Sequence, residues 1–255
     1  GANVFTLRSL SDARALIGGI AHAASVAVVG AGFIGLGAAA ALRSRGLEVH
    51  VVALEALPLA RLLGDELGAY LTGLHRAQGV EFHLERRAVA FDGDGLLLTD
   101  GSRIRADAVL VGIGVKPRTA LAAAAGLHVD DGILVDSQLR TSAPGIFAAG
   151  DVARYETAAG PTRIEHWVHA QRQGQVVADN LLGDARAFTD PPFFWTHHYG
   201  TELRYVGDGR GWNETKVEGS IGAGDCLVRY FRNGALVAAA AINRDRELLA
   251  TRNLL

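Results

Sequence analysis

Apolar and polar positions first set out a strand, a turn, a helix and a second strand. The β-branched run "VAVV" at 26–29 meets the glycine-rich turn "GAGFIG", then the Ala-rich "LGAAAALRSRG", then "LEVHVVA" with its valine pair. That order is one βαβ unit. Upstream, Ser9 and Asp12 make an S-x-x-D start for a helix through "DARALIGGIAHA". Downstream, Leu67, Tyr70, Leu71 and Leu74 fall at helical spacing in a segment that stops at Gly79. "VEFHLE" then predicts a third parallel strand. The rhythm next shortens to a period of two between Asp-Gly turns at Asp92-Gly93 and Asp100-Gly101. Short strands between such turns predict an antiparallel meander, which returns to the apolar strand at 108–111.

The second half has a different rhythm. Pro117 opens a break, "TALAAAAGL" predicts a short helix, and "GILVD" and "GIFAAGD" predict strands of another sheet. "IEHWVHAQRQGQVVADNLLG" predicts a helix closing at Gly183. The double proline in "TDPPFFW" marks a boundary, because proline neither continues a helix nor sits in a central strand. Beyond it "ELRYVG", "CLVRYF" and "ALVAAAAI" alternate like an antiparallel sheet, with a hairpin at 232–234 and a short helix at the end. The expected fold class is α/β: a three-layer Rossmann-like domain with an antiparallel meander, a second α/β segment, and a small α+β C-terminal domain.

Composition narrows the setting. The 255 residues are 49% hydrophobic, as doubly wound layers require. No apolar run approaches the ~18–20 residues of a membrane span, so no membrane association is expected. A net charge of −2 without a basic stripe argues against nucleic acid as a partner. One cysteine, Cys226, excludes an internal disulfide framework and predicts a reducing, cytoplasmic location. No base or second cysteine accompanies it, so it is read as an apolar strand residue.

The chemical signal begins in the first βαβ turn. Gly30, Gly32 and Gly35 form G-x-G-x-x-G between strand and helix. The first glycine allows a tight turn, the second lets the backbone approach a pyrophosphate, and the third lets helix pack on strand. Free N–H groups at the helix start then face the phosphates. An acid is expected at the end of the second strand to hold the ribose hydroxyls. Ala53 stands there instead. Glu55, two residues on, serves if the strand end is bulged, and Arg61 suits a ribose or a 2′-phosphate. Both also fit an ordinary solvated loop, so NAD and NADP stay open.

Several segments in order resemble one family, the ferredoxin-reductase-like flavoproteins of the pyridine nucleotide-disulfide oxidoreductase superfamily. It includes putidaredoxin and rubredoxin reductases and the ferredoxin reductase components of dioxygenases. "VFTLRSLSDARAL" resembles the lead-in to its NAD domain, and "VVGAGFIGL", with Phe33 and Ile34, its NAD glycine motif. "AVLVGIGVKP", with Gly112 and Gly114, resembles the crossover to its FAD domain. "TSAPGIFAAGDV" resembles its second FAD motif, "RIEHWVHAQRQGQVVADNLLG" its flavin-facing helix, and "PPFFWTHHYGTELRYVG" the start of its C-terminal domain.

The resemblance implies an NAD(P)-binding domain at 1–116, the second part of a split FAD-binding domain at 117–188, and a reductase-type C-terminal domain at 189–255. It implies NAD(P)H and FAD as cofactors. Half of the FAD site is expected here, because the family's first FAD motif lies on a segment before the lead-in. The chain is thus expected to be the C-terminal two-thirds of a reductase. Hydride would pass from nicotinamide to flavin, and electrons to a small iron–sulfur carrier of ferredoxin or rubredoxin type; no catalytic side chain is called for. A homodimer is an assembly open to it. By resemblance Asp151 holds the ribityl chain, Trp167 lies beside the flavin ring, Glu165 sits near the nicotinamide, and Trp195 covers the isoalloxazine edge. The alternatives are a cap for Asp151 and core packing for the tryptophans.

Gly37 stands where the family has a glutamate facing the nicotinamide, and His197-His198 where it often has Asp-Gln. Gly37, Ala53 and the missing first FAD motif motivate a second reading, a flavin-free module that only binds a nicotinamide nucleotide. His166 and His169 beside Glu165, with His197-His198, raise a metal site; the flavin-helix reading accounts for that helix without one, and no metal is expected.

Overall fold

The computed structural model describes residues 3–93, 95–157 and 160–255. They form two compact units, one of residues 1–114 with 196–202 and 221–224, the other of 115–195, 203–220 and 225–255.

In the first unit a parallel sheet carries the layers. Its strands are β1 (Val4–Thr6), β2 (Ser25–Val29), β3 (Glu48–Val52), β4 (Val80–His83) and β8 (Ala108–Val111), in the order β1-β8-β2-β3-β4. Helices α1 (Leu10–Gly19), α2 (Phe33–Ser44), α3 (Ala60–Leu63) and α4 (Asp65–Ala77) interleave with them. The strands β5 (Ala88–Phe91), β6 (Gly95–Leu98) and β7 (Arg103–Arg105) make the expected antiparallel meander. Val26, Ala27 and Val28 are wholly buried because β2 is covered on both faces. On one face Val26, Val28, Val49 and Val51 pack with Leu36, Ala39 and Leu42 of α2. On the other, Ala27, Val52 and Val109 pack with Leu96, Leu98 and Ile104 of the meander. Each such aliphatic side chain contributes about 1.5–3 kcal/mol by leaving water, so the alternation itself fixes three layers.

Helix starts follow local chemistry. Ser9 caps α1 in a reciprocal capping box with Asp12. Helix α4 ends at Ala77, two residues before Gly79, whose φ of +85° makes the left-handed stop that glycine favours. Two elements carry little sequence signal, β1 and the wholly exposed strand β13 (Glu214–Ser220).

The second unit begins with α5 (Ala120–Ala124). Strand β9 (Ile133–Val135) pairs in parallel with β10 (Ala153–Tyr155), and α6 (Trp167–Leu181) follows. Here one expectation is corrected: "GIFAAGD" is not a strand. Asp136 accepts backbone N–H bonds from Gln138 and Arg140, folding 136–140 into a turn that leaves Phe147 a single bridge to Arg140. The chain then tightens into a 3-10 turn at Gly150–Val152. A five-stranded sheet of β11 (Phe193–His198), β12 (Thr201–Gly207), β13, β14 (Asp225–Arg232) and β15 (Ala235–Ile242) has the order β11-β12-β15-β14-β13, its residues 196–202 counted with the first unit, and α7 (Asp245–Arg252) packs on β15. Asn233 and Gly234 both have positive φ, the conformation of a two-residue hairpin turn. Among the described residues no helix is long and apolar enough to cross a membrane.

Candidate functional site

The glycine turn of the first unit borders a cavity of about 650 Å³. Gly30 has φ +108°, and a Cβ there would lie 2.4 Å from the Gly112 carbonyl oxygen. At Gly35 a Cβ would lie 1.9 Å from the Gly30 oxygen, so α2 sits as close to β2 as a backbone can. Gly32 is different. It is the N-cap of α2 in extended conformation, supplies no side-chain cap, and a Cβ on it would meet nothing within 4 Å. The helix thus opens without a side chain over its N-terminus, beside open space. That is the cradle a pyrophosphate needs, and these residues fit a dinucleotide.

The cavity wall runs from Val29, Gly30, Ala31 and Gly32 through 52–55 to Arg86, Arg87, Ala88, Gly112, Ile113 and Gly114. Phe33 is half-buried and Ile34 exposed on the first turn of α2, outside the wall. At the end of β3 the Ala53 N–H donates to the His83 carbonyl and its carbonyl accepts from Arg86, so the strand is held in register without a bulge. Glu55 still lines the cavity from the loop that follows. Arg61 does not; it is exposed on α3.

Arg86 and Arg87 are the cavity residues that spacing rules missed. Arg86 is held by Asp100, its Nε donating to the carboxylate at 2.6 Å. The available signal was topological, since parallel strands place the loop after β4 at the same sheet end as the glycine turn. The dipeptide "RR" after the third strand therefore belonged among the candidates.

In the second unit Gly150 and Asp151 form a turn docked on α6. The Gly150 N–H donates to the buried Gln173 Oε1 at 2.7 Å, and Gly150 has φ +79°. Asp151 is half-buried in the first turn of the 3-10 segment, whose N-cap is Ala149. Arg163 donates to the Asp151 carbonyl at 3.1 Å and also pairs with Asp131 and Glu165. Glu165 is consequently an ion-paired carboxylate.

Helix α6 starts at Trp167 with His166 as an N-cap that supplies no side-chain bond. Trp167 is 79% exposed and Trp195 46% exposed. Neither is a core aromatic. The buried Nδ1 atoms of His166 and His169 have no hydrogen-bond partner among the described residues, and burial pushes both imidazoles down to about 4. His169 Nε2 bonds Tyr155 at 2.8 Å. A helix start without a side-chain cap, an orphaned buried imidazole nitrogen and two exposed indoles are features that suit a flavin. Gln173 was the residue missed here; the segment was recognised, and the burial of one polar side chain within it was not.

Residues 1–174 match a family model described as pyridine nucleotide-disulphide oxidoreductase, and residues 193–255 match one described as reductase C-terminal. The chain is 40% identical over 256 residues to the ferredoxin–NAD(+) reductase component of the anthranilate 1,2-dioxygenase system of Burkholderia cepacia, covering 98% of this chain and 63% of that protein. It is 37% identical over 265 residues to rhodocoxin reductase of Rhodococcus erythropolis, covering 100% of this chain and 62% of the relative. Among solved structures, the reductase of the covalent putidaredoxin reductase–putidaredoxin complex superposes with a TM-score of 0.93 at 32% identity, over 99% of this chain and 63% of that one. The ferredoxin reductase for the CYP199A2 system of Rhodopseudomonas palustris gives 0.92 at 35% identity, over 97% and 63%. The chain therefore spans less than two thirds of the length of these relatives.

Proposed function

The chain belongs to the pyridine nucleotide-disulphide oxidoreductase family, and from that premise we propose that it is the nicotinamide-nucleotide side of an FAD-dependent reductase that feeds a small iron–sulfur carrier. The open Gly32 position at an uncapped helix start carries the reading. Backbone N–H groups of the α2 turn bind the pyrophosphate. Gly30 and Gly35 hold that turn against β2, and Glu55 and Arg87 face the adenosine end. Bound flavin would supply the two-electron to one-electron conversion. Toward it, Asp151 holds the ribityl hydroxyls, the α6 N-terminus presents its partial positive charge, and Trp167 and Trp195 exclude water from the ring. Arg163 neutralises Glu165 and steadies the Asp151 turn. In this reading the NAD(P)-binding, FAD-binding and C-terminal regions divide at 116/117 and 188/189. The carrier partner is supported by the relatives, which are named as ferredoxin reductases, and by the neighbour solved with putidaredoxin.

The test is titration of the purified chain with NADH and NADPH, followed by its visible absorption spectrum and dye reduction with added FAD. Saturable binding of either nucleotide together with flavin-dependent turnover is expected. Absence of nucleotide binding would sink the proposal. A second reading, a module that binds nucleotide without flavin, is favoured by Ala53 and Gly37; binding without turnover selects it.

Ala53 yields a directional prediction. It lines the cavity where a carboxylate would accept from the ribose hydroxyls and repel a 2′-phosphate. Ala53→Glu is expected to shift the NADH to NADPH affinity ratio toward NADH by about tenfold, about 1.4 kcal/mol. An unchanged ratio would place the adenosine ribose elsewhere.

A further inference from the structure

Glu48, His50, Glu81 and His83 share one face of the β3–β4 ladder. His50 stands opposite Glu81 and Val52 opposite His83. Alternation turns all four away from the layer of Val49, Val51 and Val80. His50 Nδ1 lies 3.2 Å from His83 Nε2 and 3.3 Å from Glu81 Oε2. One ligand atom from each of His50, Glu81 and His83 falls within a span of 4.8 Å. On the far side of the ring, His50 Nε2 lies 3.2 Å from Glu48 Oε1.

These contacts leave an electrostatic conflict in the neutral cluster. If His50 donates its Nε2–H to Glu48, its Nδ1 carries a lone pair, and so does the Glu81 oxygen facing it. His83 can offer one N–H to this group and cannot satisfy both acceptors. A cation at the common point resolves the conflict. Two ligand atoms bound tetrahedrally at ~2.0–2.1 Å stand about 3.3 Å apart, which is the spacing of both pairs that include His50 Nδ1. Two imidazoles with a carboxylate suit zinc and its first-row neighbours rather than calcium or magnesium. The Glu48–His50 contact is the carboxylate–histidine arrangement that orients a metal-bound ring. Glu81 is exposed and His83 half-buried, so an ion has an entry path.

We propose that His50, His83 and Glu81 form a divalent-metal site of the zinc class, with Glu48 orienting His50 and solvent completing the coordination. None of the four lines the nucleotide cavity, so the site is separate from the one described above. An ion there ties the edge strand β4 to β3.

The experiment is titration of the metal-stripped full chain with Co2+, read by its visible d–d absorption, followed by displacement with Zn2+. One equivalent in a low-symmetry, tetrahedral-type environment is expected, displaced stoichiometrically by Zn2+. His83→Gln and Glu81→Gln sit at accessible positions and are expected to fold, as circular dichroism would show. Each should weaken binding at least tenfold, and Glu48→Gln by ~10–100-fold. Absence of saturable Co2+ binding would overturn the proposal. So would undiminished binding in both the His83 and Glu81 variants, which would put the ion elsewhere, for example at His166 and His169. Nitrogen-15 NMR adds a further arm: a His50 imidazolium that Zn2+ leaves protonated would show that a proton occupies the place assigned to the metal.

Discussion

Gly35→Ala is expected to lower the melting temperature of the nucleotide-binding unit by roughly 10 °C or more, whereas Gly32→Ala should leave the fold intact and weaken the binding. The two glycines are three residues apart and ask opposite things of the chain. A Cβ on Gly35 would stand 1.9 Å from the Gly30 carbonyl oxygen. Gly30 cannot yield, because its own φ of +108° holds it against Gly112. Backbone therefore meets backbone, and α2 must lift from β2, uncovering Leu36 and Ala39. Overpacking of this kind costs ~3 kcal/mol or more, a fall in Tm of roughly 10 °C or more.

At Gly32 the φ of −77° suits alanine, and the added methyl meets no atom within 4 Å. Glycine at this N-cap supplies no side-chain bond, so its exchange for alanine costs less than the about 0.5–2 kcal/mol of losing a Ser, Thr, Asp or Asn cap, and the melt should move little. The methyl would nonetheless stand where a pyrophosphate must approach the helix start, and NADH affinity should fall at least tenfold. Thermal melts and NADH titrations of both variants decide the matter. A Gly32→Ala chain that binds normally would mean that the cavity is no phosphate cradle. A Gly35→Ala chain that melts like its parent would mean that the turn can relax.

That contrast also shows what sequence could and could not reveal. The βαβ unit, the meander and the hairpin at Asn233-Gly234 were legible because each rests on local chemistry: a hydrophobic period, an Asp-Gly or Asn-Gly turn, a capping box. The glycine motif was legible because its spacing is a steric requirement. Strand β1 was not, since three residues become a strand through pairing with β8, over a hundred positions away. Strand β13 is exposed along its whole length and has no alternation to read. "GIFAAGD" read as a strand from its apolar residues, but Asp136 had already turned the chain and left no ladder for it. Arg87 and Gln173 were missed for a common reason. Neither lies in a motif; each gains its place from the way separate elements meet, one at a sheet end and one beneath the Gly150 turn. Arg61, chosen by distance along the chain, lies off the cavity because α3 intervenes.

Acid is expected to destabilise both units over one pH window, through histidines. In the first unit His75 and His198 are wholly buried, with His75 Nε2 3.1 Å from His198 Nδ1. Tyr199 and Thr196 complete the row, at 3.2 Å from His75 Nδ1 and 2.9 Å from His198 Nε2. Such a row is satisfied with each ring neutral and donating once, whereas protonating both rings would set the His75 Nε2–H against the His198 Nδ1–H with no acceptor between them. Burial pushes both pKa values from 6.5 down to about 4, with mutual repulsion adding to the effect at His75. His166 and His169 are lowered to about 4 in the second unit, again chiefly by burial. The unfolded chain takes up these protons near 6.5 and the folded chain near 4, so between those values the unfolded state binds more. Stability must then fall as pH drops from 6.5 toward 4, and these groups add no further loss below 4. Each contributes on the order of 3 kcal/mol across the window, so each unit sets two such groups against a domain stability of ~5–15 kcal/mol. Denaturant unfolding across the window should therefore show a steep loss. His198→Gln, whose amide can accept from His75 and donate to Thr196, removes one of the four protons and should lower the slope by about a quarter. A free energy of unfolding that stayed flat across the window would mean that water reaches these rings and lets them charge in place.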